Sequence, residues 1–276
     1  MNEKKFPEPV EALVLILITF GFILIFTFVA AASSFFISPE QEITSDIKLF
    51  YIIGGIFFFL VPFIYIKQRK YDLHSLFRLK PVSGEVILLT IIIGLSMSVL
   101  GDELDRLVQS LIPIPDELAK MMESLAATTF MDWFLAILGA VVVASISEEL
   151  LFRGFLQVTL ERKGDPTRAV ILSSISWTLI HVNFYWAIQI FIMGVIIGFI
   201  AWRTGSIIPA IILHAINNFL SLLFYNLDLQ TKMDWYEMGE HVSPFVIILA
   251  LMGLIFGIRR ITELSRMEFS DSQNTG

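Results

Sequence analysis

FMDWFLAILGAVVVASISEELLFRGFLQVTLE, residues 130–161, is the stretch on which the fold turns. Its side chains are mostly Ile, Leu, Val, Phe and Ala, and its length exceeds the roughly 20 residues a helix needs to cross the hydrocarbon core of a bilayer. Glu148, Glu149 and Arg153 interrupt that apolar run from the inside. An ionisable side chain held at bilayer depth costs roughly 2.5–3.5 kcal/mol on insertion scales, so a chain that keeps several has a use for them. The segment reads as a membrane-spanning helix from about Phe130 to about Glu161 with a polar station built into it.

The rest of the chain agrees with that reading. It has 276 residues, 56% of them hydrophobic and only 16% charged, and its mean hydropathy is +0.77. A soluble domain of this length is far more polar. Only helices or a closed barrel satisfy every backbone amide inside lipid. The expected fold is therefore an all-α polytopic membrane protein, one membrane domain over residues 1–276. Eight transmembrane helices are expected: about Val10 to Phe36, Ile47 to Ile66, Gly84 to Leu100, Phe130 to Glu161, Arg168 to Asn183, Tyr185 to Ala201, Ser206 to Tyr225 and Pro244 to Ile258. Residues 101–129 read as an interfacial helix, broken at Pro113 and Pro115 and followed by a second short one. The polar tail from Glu268 to Gly276 reads as disordered.

Charge sorts the loops. Of 19 Lys and Arg, only Lys48, Arg106, Lys120 and Lys232 fall on one side, which is otherwise acidic. The positive-inside rule then places both termini in the cytoplasm. The net charge of −7 carries no nucleic-acid footprint. The absence of cysteine excludes disulfides, thiolate metal sites and cysteine nucleophiles.

Glu149 and Arg153 are i,i+4 on a helix and can pair, which is how a buried arginine survives. Glu148 points about a hundred degrees away from Glu149 and must find another helix or water. Glu148 lies about 16 residues before the turn Gly164-Asp165-Pro166, and His181 about 16 after it, so an antiparallel hairpin sets them at equal depth. Trp177 is one turn from His181. After the turn Thr204-Gly205-Ser206, His214 and Asn218 share a helix face at similar depth. Asn217 points off that face and reads as a helix–helix hydrogen bond. Gly194-xxx-Gly198 and Gly253-xxx-Gly257 read as sites of close helix packing.

Missing residues narrow the chemistry. There is no HExxH for an intramembrane zinc protease. No aspartate pair lies within the spans, and nothing marks Ser145 or Ser147 as activated. A carboxylate with histidine partners suits water activation: Glu148 takes a proton from water, His181 orients it or relays the proton, and His214 with Asn218 donate to the oxyanion. Two other readings use the same residues, a non-catalytic scaffold and a proton-coupled transporter.

EELLFR (Glu148 to Arg153), His181 with an aromatic four residues earlier, and His214-xxx-Asn218 together resemble the three motifs of the CPBP family, which includes type II CAAX prenyl endopeptidases and Abi proteins of bacteriocin processing or immunity. The motif-bearing core covers about residues 130–225. The resemblance implies an intramembrane endopeptidase with Glu148 as base assisted by His181, His214 and Asn218 as oxyanion hole, and Glu149 and Arg153 in support. The family pattern has Phe where Trp177 stands here. No cofactor and no metal are expected, because Asn218 is a poor zinc ligand and an apt oxyanion donor. The expected partners are the lipid bilayer and a membrane-associated peptide, prenylated or bacteriocin-like. An immunity or scaffold protein on the same fold is the alternative.

Overall fold

The computed structural model of the chain describes residues 6–37, 44–124, 126–227 and 235–274. Among these, seven helices are long and apolar enough to cross a membrane, and the chain is an integral, multi-pass membrane protein. The chain divides into two compact units, Met1–Phe77 with Pro115–Ala169 and Arg78–Ile114 with Val170–Gly276.

The first unit is built from α1 (Pro9–Ile37), α2 (Thr44–Arg69), the single turn α3 (Leu73–Leu76), α5 (Asp116–Ser124) and the long rod from Phe130 to Lys163. A capping box starts the rod: Thr129 Oγ1 accepts from the Asp132 amide at 3.1 Å, and Asp132 accepts from the Thr129 amide at 2.9 Å. The rod is not one regular helix. It runs as α6 (Phe130–Ala136), a π-helical segment π1 (Ile137–Val143), α7 (Ala144–Glu149), a second π-helical segment π2 (Leu150–Leu156) and α8 (Gln157–Lys163). Every residue of π2 is buried. Helix α2 lies against π1 and α7, and α1 against α2 and π2. The approach at α2 is close enough that a Cβ on Gly55 would stand 2.5 Å from Val143. The α1–α2 pair is also tied by polar contacts, since Tyr65 and Tyr71 both donate to the Glu11 carboxylate. The Tyr71 phenol, in the loop after α2, is pushed up to about 12, first by burial and then by that carboxylate.

The second unit centres on α4 (Gly84–Leu111), with α10 (Ala187–Thr204), α11 (Ile208–Leu227) and α12 (Pro244–Asn274) around it. The Gly253-xxx-Gly257 face does what close packing requires: a Cβ on Gly253 would reach Ser96 Oγ at 2.5 Å, and one on Gly257 would reach Ile93 at 2.5 Å. Helix α9 (Pro166–Ile180) starts with the Asp165 side chain accepting from the Arg168 amide at 3.1 Å and with proline at its first position. Gly205, at φ +60°, closes α10 in the left-handed region.

Four elements depart from the sequence expectation. Helix α4 does not stop at Leu100 to begin a separate interfacial helix; it is continuous to Leu111. The Asp102–Arg106 ion pair at 3.2 Å and the Gln109–Asp105 hydrogen bond at 2.8 Å support the added turns, and Pro113 ends them. Helix α12 continues through the polar tail to Asn274, with Arg260 bonded to Glu85 at 2.8 Å. Helix α9 has only 15 residues, a length of about 22 Å at 1.5 Å per residue. A two-stranded antiparallel hairpin, β1 (Glu237–Met238) and β2 (His241–Val242), adds a small extended element. It docks on the acidic end of α4, where Glu237 meets Arg106 at 2.7 Å and His241 meets Glu103 at 2.9 Å. Tyr236 donates to Asp102 at 2.9 Å, and burial with that carboxylate raises its phenol above the usual range.

Candidate active site

In the first unit the polar station lies between the two π segments. Glu148 and Glu149 are the last residues of α7, and π2 begins at the next residue. A π turn closes i→i+5 bonds and holds one residue more than the α turn it replaces. Such segments are rare, and they occur frequently at functional positions. Glu149 Oε1 meets Arg153 Nη1 at 2.9 Å, and both side chains are 0% exposed. The i,i+4 pairing survives the change to π geometry, so two full charges are desolvated together and largely cancel. Glu148 is half-buried, and its charge also acts on Arg153. Ser147 donates to its own helix at Ala144 O, 3.3 Å, and the buried Ser145 hydroxyl has no hydrogen-bond partner among the described residues.

In the second unit one indole organises both histidines. Trp177, on α9, is fully buried. Its ring meets His181 edge-on, centroids 5.0 Å apart at 85°, and His214 edge-on, 5.3 Å apart at 76°. Such aromatic pairs contribute about 0.5–1.5 kcal/mol beyond area burial. The structure thus brings His181 and His214 against one ring. Asn218 follows His214 by one turn of α11.

His181 sits just past the end of α9, where the last carbonyls lack helical partners. Its Nδ1 lies 2.8 Å from Trp177 O. A carbonyl only accepts, so Nδ1 carries the proton, and in the neutral ring Nε2 keeps its lone pair. That is the tautomer a proton acceptor needs. The next residue, Val182, has φ +48°, a left-handed conformation that β-branched residues rarely adopt. It turns the chain into an Asx turn in which Asn183 Oδ1 accepts from the amides of Tyr185 at 3.0 Å and Trp186 at 3.3 Å. The turn is anchored to α4: Trp186 Nε1 donates to Asp105 at 2.7 Å, and Tyr185 donates to Ile112 O at 3.1 Å.

One expected contact is overturned. Asn217 makes no helix–helix hydrogen bond among the described residues; it lies at a cavity beside α4 and α10 instead. Helical spacing gave its direction off the His214 face but not what stood there. Sequence reading also missed the two π segments, whose composition is that of any apolar helix.

Among the described residues, no three His, Asp or Glu side chains are gathered closely enough to hold a metal ion.

A membrane-embedded helical protein with buried carboxylates and neighbouring imidazoles invites comparison with known families. Residues 130–220 match the family described as Type II CAAX prenyl endopeptidase Rce1-like. The match spans α6 through most of α11 and includes every candidate residue, consistent with the CPBP resemblance. The Rce1-like family is a protease family, and the match supports a hydrolase. No curated protein and no solved structure matches the chain.

Proposed function

We propose that the chain is an intramembrane endopeptidase that hydrolyses a peptide bond of a membrane-associated substrate through a glutamate-activated water. Glu148 takes the proton, His181 orients the water or relays that proton, and His214 with Asn218 donate to the oxyanion of the tetrahedral intermediate. Glu149 and Arg153 support Glu148, and Trp177 holds the two imidazoles. The reading places these groups in one membrane domain of eight spans, both termini cytoplasmic, acting without a metal on a CAAX-type, prenylated or bacteriocin-like peptide.

The observation that carries it is the contrast between adjacent carboxylates. Glu149 is spent on Arg153 at 2.9 Å in full burial, whereas Glu148 is half-buried beside it, within the segment that matches a protease family. A carboxylate that acts as a base needs to reach water, which suits the half-buried Glu148 better than the fully buried Glu149. The His181 tautomer supports the same reading.

The test is Glu148→Gln, which keeps size and most hydrogen bonding but cannot accept the proton. Purified wild-type protein is expected to release fragments from a panel of membrane-anchored peptides, read by mass. The variant is expected to lose at least about 10²-fold in turnover with an unchanged melting profile. Fragments still released by Glu148→Gln at the wild-type rate would overturn the assignment.

A further inference from the structure

The residues between His181 and the start of α10 carry contacts that the proposed chemistry does not use. His181 and Val182 each donate their amides to the carbonyl three residues back, at 3.2 Å, so α9 tightens before it stops. His181 lies past the last helical residue, Ile180, and is exposed. Little packing therefore holds its ring, and its bond to the Trp177 carbonyl depends on where the backbone goes next. The chain continues through Val182 at φ +48°. A β-branched residue in that region is strained and persists only where its surroundings over-determine it. Two side chains just beyond it reach α4. Trp186 Nε1 donates to Asp105 Oδ1 at 2.7 Å, and Tyr185 donates to the Ile112 carbonyl at 3.1 Å. The two anchor points are seven residues apart in the chain, about 10 Å along a helix axis. Asp105 is itself fixed, because its other oxygen accepts from Gln109 Nε2 at 2.8 Å, one turn further on.

We propose that Asp105 is a positioning residue for His181: through the Trp186 indole it holds the turn that keeps the imidazole on the Trp177 carbonyl. The link is short and stiff. Asn183 Oδ1 accepts from the amides of Tyr185 and Trp186, so the turn between His181 and the indole has its own internal bonds. A carboxylate acceptor makes the stronger kind of hydrogen bond to an N–H donor, and it stands on a helix that continues unbroken to Leu111. Fixing the far side of the turn keeps Val182 in its left-handed conformation. That conformation in turn keeps His181 Nδ1 at 2.8 Å from Trp177 O, with the proton on Nδ1 and the lone pair on Nε2. Without the tether, Val182 can relax to an ordinary backbone region, and the ring is free to take its other tautomer. The inference rests on the peptidase reading for what His181 does, but its tautomer can be read without turnover.

The experiment uses full-length protein in detergent with isotope-labelled histidine. It has two readouts: the imidazole nitrogen signals, and kcat and KM on a cleaved membrane-anchored peptide. The His181 signals are identified by their loss in His181→Asn. Wild type is expected to show His181 as a single Nδ1–H tautomer. Trp186→Phe keeps a ring beside Tyr185 but cannot donate, and Asp105→Leu removes the acceptor. Each is expected to mix the tautomers and to lower kcat about tenfold, the worth of one hydrogen bond, with KM unchanged. Asp105→Asn keeps a carbonyl acceptor and is expected to retain the single tautomer and the wild-type kcat, a rescue that a general loss of stability would not give. The double variant of Trp186→Phe with Asp105→Leu is expected to fall no further than either single, because the two residues form one contact. A single Nδ1–H tautomer in both Trp186→Phe and Asp105→Leu, or a loss in Asp105→Asn equal to that in Asp105→Leu, would overturn the proposal. The two readings fail separately. Mixed tautomers in the variants while wild type cleaves no peptide sink the peptidase and keep the tether. Cleavage by wild type, with tautomer and kcat unchanged in both variants, sinks the tether and keeps the peptidase.

Discussion

The pair Glu149–Arg153 shows how a single residue can be necessary without taking part in the chemistry. Both side chains are fully buried and meet at 2.9 Å. Removing one partner leaves the other charge uncompensated in a dry site, at a cost of about 3–5 kcal/mol. Arg153→Met or Glu149→Gln alone is expected to lower the melting temperature sharply and reduce the folded yield, while the double variant recovers most of the loss. A double variant as unstable as the sum of the singles would show that the pair does more than neutralise itself. His181 presents the opposite case. Its Nδ1 caps the Trp177 carbonyl at 2.8 Å, a task an asparagine amide can also perform at a helix end. His181→Asn is expected to stay within about 1 kcal/mol of wild-type stability while peptide turnover falls about 10²-fold or more. Equal turnover would reduce His181 to a cap. The i,i+4 pairing of Glu149 with Arg153 was legible from spacing alone, because a helix of either kind keeps those positions adjacent. The cap on Trp177 was not, because it depends on α9 ending at Ile180, and the amphipathic pattern does not mark that boundary.

At the scale of elements, apolarity and helicity part company. The drop in hydrophobicity after Leu100 and after Ile258 marks where a span leaves lipid, but α4 and α12 both run on well past those points. Helices end at caps and prolines, not where the membrane does, which is why span centres were legible and helix ends were not. The same limit hid π1 and π2: inserting one residue into a turn changes backbone bonding and leaves the side-chain vocabulary untouched. Glycine spacing was more informative. Gly253-xxx-Gly257 implied close packing, and α12 lies against Ser96 and Ile93 of α4 with no room for a Cβ. Gly257→Val is therefore expected to cost about 1–3 kcal/mol through overpacking. Gly21→Ala, where nothing stands within 4 Å of the added atom, is expected to be neutral or stabilising. Thermal unfolding in one detergent compares them directly, and equal stability of the two variants would remove α4–α12 contact as the reason for the glycines.

For the whole molecule the open question is whether α9 crosses the membrane, because its 15 residues cover about 22 Å against a hydrocarbon core of about 30 Å. Charge bears on it where length does not. If α9 turned back, every later segment would invert, and Arg203, Arg259 and Arg260 would lie on the side opposite Lys67, Arg69, Lys70, Arg162 and Lys163, against the positive-inside rule. Tyr185 and Trp186 follow α9 within six residues, and aromatic residues of this kind favour the membrane–water boundary. A short span is also accommodated at modest cost by local thinning of the bilayer. The eight crossings proposed would make α9 the short one. The chain has no cysteine, so single substitutions report their own side. Phe184→Cys, at a position 85% exposed, is expected to react in intact cells with a membrane-impermeant maleimide. Arg162→Cys, on the other side of α9, is expected to react only after permeabilisation. Labelling of both positions under one condition alone would make α9 a re-entrant helix. It would also undo the depth argument that set Glu148 and His181 at one level, since that argument requires an antiparallel pair of spans.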